Sequence, residues 1–503
     1  MVLFMFVSTS FVGVSYQREE GVVDTTTSDF SVDNGFDSNQ FLVNETPGIQ
    51  WIRHFGSNYN FDDARKVRQT SDGGYILVGR TESFTSDGDF DAWLIKTDIN
   101  GMEEWNRTYG DIGFLNWTDG FSVEQTMDGG FIFVGFNAKF QEDAHTWVVK
   151  TTADGTEQWR KTYNSSFRGH CLQPITDEGY IIVGVSPLMD AWVCRIDNNG
   201  NMIWEKTFYK TENSGGNSVQ QTPDGGFIIV GRIYYHENDS TAGFLLKVDA
   251  DGHEQWNKTH GWLASSDFNS VQLLPDGYIV GGAIKLDGSD YEAWLVRMND
   301  AGVILWNRTF SILPDSGSGV FELDCTDDAG FVLTGSVHTT TVESGWVLKT
   351  DAEGNLEWQI TSVESYDQIF YSVQETSDGS FIVAGISGDD GLSNAVLLKV
   401  GHVPHISIIK PINALYFFDK ELHALRFPFI IGPITIEADA YDTEYSIDRV
   451  EFLVDDVLKN TDTTAPYSWR WAAPSFFIHT LTVTAYNAVG NCSSQTINVL
   501  KIF

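Results

Sequence analysis

The sequence predicts an all-β chain, a seven-bladed β-propeller followed by an Ig-like β-sandwich. Three observations lead there. A tryptophan-led unit opens at Trp51, Trp105, Trp159, Trp204, Trp256, Trp306 and Trp358, spaced by 45 to 54 residues. A period of that size marks a repeat architecture. Each unit holds four short strand signals separated by turn signals and no helix, the pattern of a propeller blade. The repeat stops near residue 400, and about a hundred residues of short alternating strands follow, which suggests a sandwich.

The second unit shows the elements in order. Phe121–Thr126 reads as the first strand. Asp128-Gly129-Gly130 is a tight turn, with glycine supplying positive φ. Phe131–Gly135 is an apolar second strand, Trp147–Thr151 the third, and Gln158–Tyr163, with Trp159, the fourth. The turn recurs at Asp72, Asp224 and Asp378, and a glycine is expected to end the second strand at Gly79, Gly135, Gly184, Gly231, Gly281, Gly335 and Gly385. The last unit has three strands and no tryptophan-bearing fourth. The orphan strand at 50–56 can complete it and close the ring, removing the open edge of a linear array. An open solenoid is the competing arrangement, but it needs capping repeats and none is visible.

The apolar residues Met1–Ser15 resemble part of a secretory signal and are too short to span a bilayer. Residues 16–47 are rich in Ser, Thr, Asp and Asn and read as a flexible linker. The propeller is expected at 48–400 and the sandwich at 405–503, with six strands from Ile406 to Lys501. With no transmembrane span foreseen, the expectation is a monomer that is secreted or held at the extracellular surface.

With 31 Lys and Arg against 69 Asp and Glu, the formal net charge is −38. Nucleic acid is excluded as a partner, since binding it needs clustered Lys and Arg. Cys171 and Cys194 fall on the first and third strands of one blade. Two strand spacings, roughly 9.5 Å, are too far for a disulfide, so free thiols are expected. Asn106, Asn257 and Asn307 are Asn-x-Thr sites at one repeat position on the outermost strand and are glycosylation candidates.

The repeats, through Asp98–Gly101 with Trp105, Asp197–Gly200 with Trp204, Asp249–Gly252 with Trp256 and Asp351–Gly354 with Trp358, resemble those of prokaryotic extracellular β-propellers. The resemblance implies that each tryptophan docks between neighbouring blades. The segment with Asp455–Lys459 and Thr464–Trp469 resembles the Ig-like modules of bacterial and archaeal surface proteins and glycosidases. Both imply fold, and neither fixes an activity.

Catalytic motifs are sparse. Asp249-Ala250-Asp251-Gly252 starts like a calcium loop but lacks the later ligands, and a hairpin turn accounts for it. His402-Val403-Pro404-His405 reads as a domain linker rather than a metal site. No Gly-x-Ser-x-Gly elbow or His-Glu-x-x-His pair is present. The candidate ligand face is the one that gathers the second-to-third and interblade loops. It carries Asp62, Asp63, Asp119, Asp267 and Asp367, with Phe90, Tyr234, Tyr235 and Tyr291 between them. Asp87, Asp89 and Asp91 on one loop are the metal candidates, with calcium as the cation that would relieve such crowding. No other cofactor is expected. The leading expectation is an exported binding or adhesion protein for a protein or glycan ligand. The alternative is an extracellular glycan-active hydrolase or lyase with carboxylates at the channel mouth.

Overall fold

The computed structural model describes residues 47–503, except 58, 86–88, 111–115, 140–143, 177–178, 210–212, 238, 262–264, 287–289, 315, 339–341, 363–365, 390–391, 402, 443–444 and 489. The apolar start, most of the linker and Asp87 therefore lie outside the described residues. Among those described, the elements are all strands.

Seven four-stranded antiparallel sheets follow one another. The first spans Asp62–Tyr109 and the sixth Gly317–Thr361, each in simple sequence order. The seventh is made of Asp367–Glu375, Phe381–Asp389, Leu392–Gly401 and, from the other end of the repeat, Gly48–Phe55. Gly48–Phe55 runs antiparallel to Leu392–Gly401, with Trp51 opposite Lys399 and Phe55 opposite Ala395.

The blades are held together by a repeated contact. The tryptophan of one blade's outer strand lies on the turn glycine of the next blade's outer hairpin. Trp105 meets Gly155, Trp256 meets Gly302, and Trp51 of the closing strand meets Gly101. Gly302 has φ +69° and a Cβ there would come within 2.8 Å of the Trp256 ring, so the position needs glycine for both backbone and space. The same indole faces the start of the neighbour's second strand, as in Trp105–Phe131 at 5.8 Å and Trp51–Tyr75 at 6.0 Å. Trp358 is the exception: blade seven has no outer hairpin, so this ring meets no turn glycine among the described residues, yet it packs on Phe381 and is buried. Trp256→Ala is expected to cost about 2–4 kcal/mol in urea unfolding, the lower part of the range for large-to-small changes because the ring is only half-buried. A loss below about 1 kcal/mol would mean the contact does not hold the blades.

Some of the acidic charge is paired within the blades. Asp72, Asp224 and Asp328, in the inner hairpin turns, pair with third-strand lysines: Lys96 at 2.9 Å, Lys247 at 2.9 Å and Lys349 at 2.8 Å. Cys171 and Cys194 are free and buried, with one strand between them.

The second-strand glycines do not end their strands. Phe131–Lys139 runs four residues past Gly135. The glycine is there because a β-bulge on the inner strand brings backbone close: a Cβ on Gly135 would meet the Asp119 carbonyl oxygen at 1.7 Å. In blade five this role falls to Gly282, facing the Asp267 carbonyl, rather than to Gly281.

From His405 onward two sheets pack face to face, one of three strands and one of seven. Ile434, Ile436, Val450, Phe452, Trp471, Leu481 and Val483 fill the space between them. Among the described residues ten strands are present rather than six. Those missed are Ala414–Phe417, Lys420–Ala424, Phe429–Ile431 and Val457–Asp462, which are short or largely exposed and so carry little apolar alternation. At one end, Asp455 accepts the Thr480 N–H at 3.0 Å and pairs with His479 Nδ1 at 2.6 Å, while Ser475 meets His479 Nε2 at 2.6 Å. These contacts tie the Asp455–Asp456 turn to the long hairpin strand. Among the described residues no helix is long and apolar enough to cross a membrane.

Candidate functional site

Each inner strand is broken by a register shift that leaves one residue extra: Arg65, Phe121, His170, Asn217, Asn269, Phe321 and Tyr371. A bulge re-aims the side chain it carries. Here all seven bulged residues line one cavity of about 130 Å³ on the propeller axis. Deeper in, the lining continues through Lys66, Ser122, Cys171, Ser218, Ser270 and Glu322, then Arg68, Gln173, Gln220 and Gln272. The frame is constant and the bulge position varies. That signal was readable in the sequence, where Ser-Val follows a changing residue at Phe121, Asn217, Asn269 and Tyr371. It escaped notice because the extra residue breaks the two-residue alternation on which strand reading depends.

Above the bulge ring lies the rim, two residues earlier on each inner strand. It does not present an open acidic surface. Asp62 is fully buried, accepting Ser57 N–H at 3.1 Å and bonding the Thr81 hydroxyl. Asp63 and Asp119 are each 2 % exposed and share two arginines. Arg65 lies 3.1 Å from Asp63 and 3.3 Å from Asp119, and Arg80 lies 3.1 Å and 3.7 Å from the same pair. The arginines come from positions in the bulge and at the end of the second strand, so strand-by-strand inspection of the acids did not reveal them. Burial raises the Asp119 carboxyl above its usual range, against the pull of Arg65 and Arg80. Asp267 is also raised by burial and accepts the Ala283 N–H at 2.9 Å. Asp367 remains exposed and accepts the Glu343 N–H at 2.8 Å. Asp63 and Asp119 are thus tied to one pair of arginines, and Asp62, Asp267 and Asp367 each to contacts of their own.

Aromatic rings wall the arginines. Arg80 lies over Phe61 and Phe90 at 4.6 and 4.5 Å, and Phe90 stacks on Trp117 at 5.3 Å. Arg65 lies over Phe121 at 4.4 Å. Arg168, at the rim position of blade three, lies over Phe136 at 4.6 Å. Of the other aromatic candidates, Tyr234 donates to Asp239 at 2.6 Å, Tyr235 packs on the core between blades three and four, and Tyr291 is 37 % exposed beneath Lys285. Burial, aided by repulsion from Arg168, lowers His170 to about 4, so it is neutral at pH 7, with Nδ1 held by the Gly216 carbonyl at 2.9 Å.

Among the described residues no three His, Cys, Asp or Glu side chains are grouped to hold a metal ion. Asp89 and Asp91 are engaged in contacts of their own. Asn106 and Asn307 are half-buried, and each accepts from a third-strand tryptophan, Trp93 and Trp294, at 3.2 Å. Asn257 is exposed and bonds Glu254 at 2.5 Å.

At the inner end of the cavity lies a charged cluster. Glu322 bonds Lys66 and lies 3.3 Å from Arg68, and accepts the Val373 N–H at 3.2 Å. Arg68 also bonds Glu124 at 3.1 Å. Burial acts to raise Glu322, but the Lys66 and Arg68 charges outweigh it and its carboxyl is lowered. Asp324, two residues along, is pushed up to about 6 by burial, with the nearby Glu322 charge adding to the effect.

Residues 427–485 match the bacterial Ig domain family. No curated protein matches the sequence. Among solved structures, the chain is similar to the propeller domain of the Trilobed protease of Pyrococcus furiosus, 11 % identical over 68 % of this chain and 94 % of that one, with a TM-score of 0.42. It is similar to the extracellular domain of a protein described as a one-component system of B. thetaiotaomicron, 10 % identical, with a TM-score of 0.40. That match covers 89 % of this chain but only 60 % of the other. Fibronectin(III)-like modules of Clostridium thermocellum CbhA match 20 % of this chain and all of theirs, at 22 % identity and a TM-score of 0.16.

Proposed function

We propose that the protein is an exported, surface-presented binding protein. The propeller's loop face offers the ligand site, and the Ig-like module serves as spacer or attachment. The observation that carries this reading is the bulge ring: seven side chains of five residue types, delivered by one backbone device to one cavity. Bulges beside a cavity re-aim side chains, and a rigid scaffold with a variable ring suits recognition. The match to a bacterial Ig domain supports a surface setting. Arrays of glycans and proteins probed with the purified chain test it. Binding to one class, weakened by Phe321→Ala and by Asn217→Ala, is the expected result. Binding that both variants leave unchanged would move the site off this face.

One observation favours a glycan-active enzyme. Asp324, raised to about 6, and Glu322, lowered, form a pair of carboxyl groups pushed apart as an acid and a base would be. Glu322 is occupied on both oxygens, however, and the cavity is small against the roughly 300–1,000 Å³ of usual ligand pockets. The binding reading is preferred on those grounds. New reducing ends released from any array glycan would reverse that preference.

A further inference from the structure

We propose that the loop face takes a carboxylate-bearing sugar and that Arg168 receives the carboxylate. This rests on the reading of the loop face as a ligand site.

Arg168 stands at the rim position held by Asp63, Asp119 and Asp267 in blades one, two and five, two residues before each bulge. An arginine here replaces an acid. The neighbouring arginines, Arg65 of the bulge and Arg80 of the second strand, share two carboxylates. Arg168 has none. Its guanidinium lies over Phe136 at 4.6 Å and Phe121 at 5.4 Å, and its Nε is buried without a hydrogen-bond partner. Among the described residues it forms no ion pair, in a chain where acids outnumber bases by more than two to one. Burial weakens its hold on the proton, against the attraction of Asp119 and helped by repulsion from Arg65 and Arg80. The Asp119 Oδ1 nearby is buried and unpartnered as well. A guanidinium on an aromatic wall with its donors unused matches a carboxylate in shape and charge.

The bulge ring, which Arg168 adjoins without lining the cavity, says what carries the carboxylate. Asn217 donates to Asn269 at 2.9 Å, and Asn269 donates onward to the Val320 carbonyl at 2.9 Å. This chain of amides ends in the Asn217 side-chain oxygen, an acceptor suited to a hydroxyl. Phe321 and Tyr371, 5.6 Å apart, present aromatic surface beyond it. A uronate ring combines carboxylate, hydroxyls and a flat C–H face, whereas an acidic peptide side chain supplies only the first. A cavity of about 130 Å³ admits an edge of such a ring, with the remainder over the mouth. The net charge of −38 opposes dense polyanions at long range, which favours a ligand recognised by contact.

Calorimetric titration of the full chain at fixed ionic strength tests this. The probes are trigalacturonate, a glucuronate-containing trisaccharide, the methyl ester of trigalacturonate, neutral galactotriose and malate. One of the two acidic sugars is expected to bind, with the ester, galactotriose and malate weaker by about tenfold or more. Arg168→Gln is expected to weaken the acidic sugar by a similar factor while the melting temperature holds or rises, and Arg168→Lys to retain part of the affinity. Equal binding of acid and ester, indifference to Arg168→Gln, malate as tight as the sugars, or no binding of either acidic sugar would each overturn the proposal. In the last case, a water bridging Arg168 Nε and Asp119 Oδ1 accounts for the two atoms. A neutral ligand found by array and sensitive to Phe321→Ala would overturn the carboxylate assignment and leave the binding protein standing. Silence on every array would remove both.

Discussion

A chain lacking residues 48–56 is expected to lose its cooperative melting transition or to melt far below the parent. The deletion removes the ladder along Leu392–Gly401, from Gly48 opposite Gly401 to Phe55 opposite Ala395. It also removes Trp51 from the Gly101 turn and Phe55 from the core shared by blades seven and one. Several ladder hydrogen bonds at about 1 kcal/mol each, with two large side chains at about 3 kcal/mol each, come to the order of 10 kcal/mol. That is comparable to the whole stability of an ordinary domain. An unpaired edge would also promote association. A synthetic peptide spanning 48–56, added in trans, is expected to raise the melting temperature in a concentration-dependent way. Parent-like melting of the deleted chain would show that closure does not depend on this strand.

Glu322→Ala is expected to cost about 3–5 kcal/mol, because it leaves Lys66 and part of Arg68 buried beside the cavity without their carboxylate. Glu124 still serves Arg68, so the loss falls mainly on Lys66. Urea unfolding measures it, and Lys66→Met in the Glu322→Ala background should recover much of it. A loss under about 1 kcal/mol would show that solvent already serves both cations. The pH dependence has two limbs of opposite sign. Glu322 is lowered in the fold, so its contribution is present above the unfolded value of about 4.3 and fades as pH falls below it. Asp324 is raised to about 6, so the folded state keeps a proton that the unfolded chain releases above about 3.9. Stability from that group is therefore lost as pH rises from about 4 to about 6. Asp324→Asn should flatten that limb. If wild type and Asp324→Asn melt in parallel across the window, Asp324 is not perturbed.

The blades were legible in the sequence because their determinants are local. The Asp-Gly-Gly turn, the tryptophan and the outer-turn glycine repeat at fixed offsets, and each acts through neighbours one blade away. The closing strand was legible from a missing tryptophan strand at one end and a spare one at the other. The site was not legible in the same way. Lys66 and Glu322 are 256 residues apart in sequence and meet only because the ring closes. Asp63 and Asp119 looked like free acids because the arginines that neutralise them come from a bulge and from the far end of a second strand. In the Ig-like module the buried strands were found and the short, exposed ones were not, since without a buried face a strand leaves no alternation to read.

The closing strand also sets how the ring would carry tension. A pull through the Ig-like module reaches the propeller at Gly401, where the strand Leu392–Gly401 ends before His405 begins the next domain. That strand is not at an edge: Phe381–Asp389 flanks it on one side and Gly48–Phe55 on the other. A load along its axis is taken in shear by two ladders at once, so many hydrogen bonds must yield together instead of one after another. Were the chain tethered through its C-terminal module, the loop face proposed above as the ligand site would stay intact under flow because the first strand of the ring braces the last.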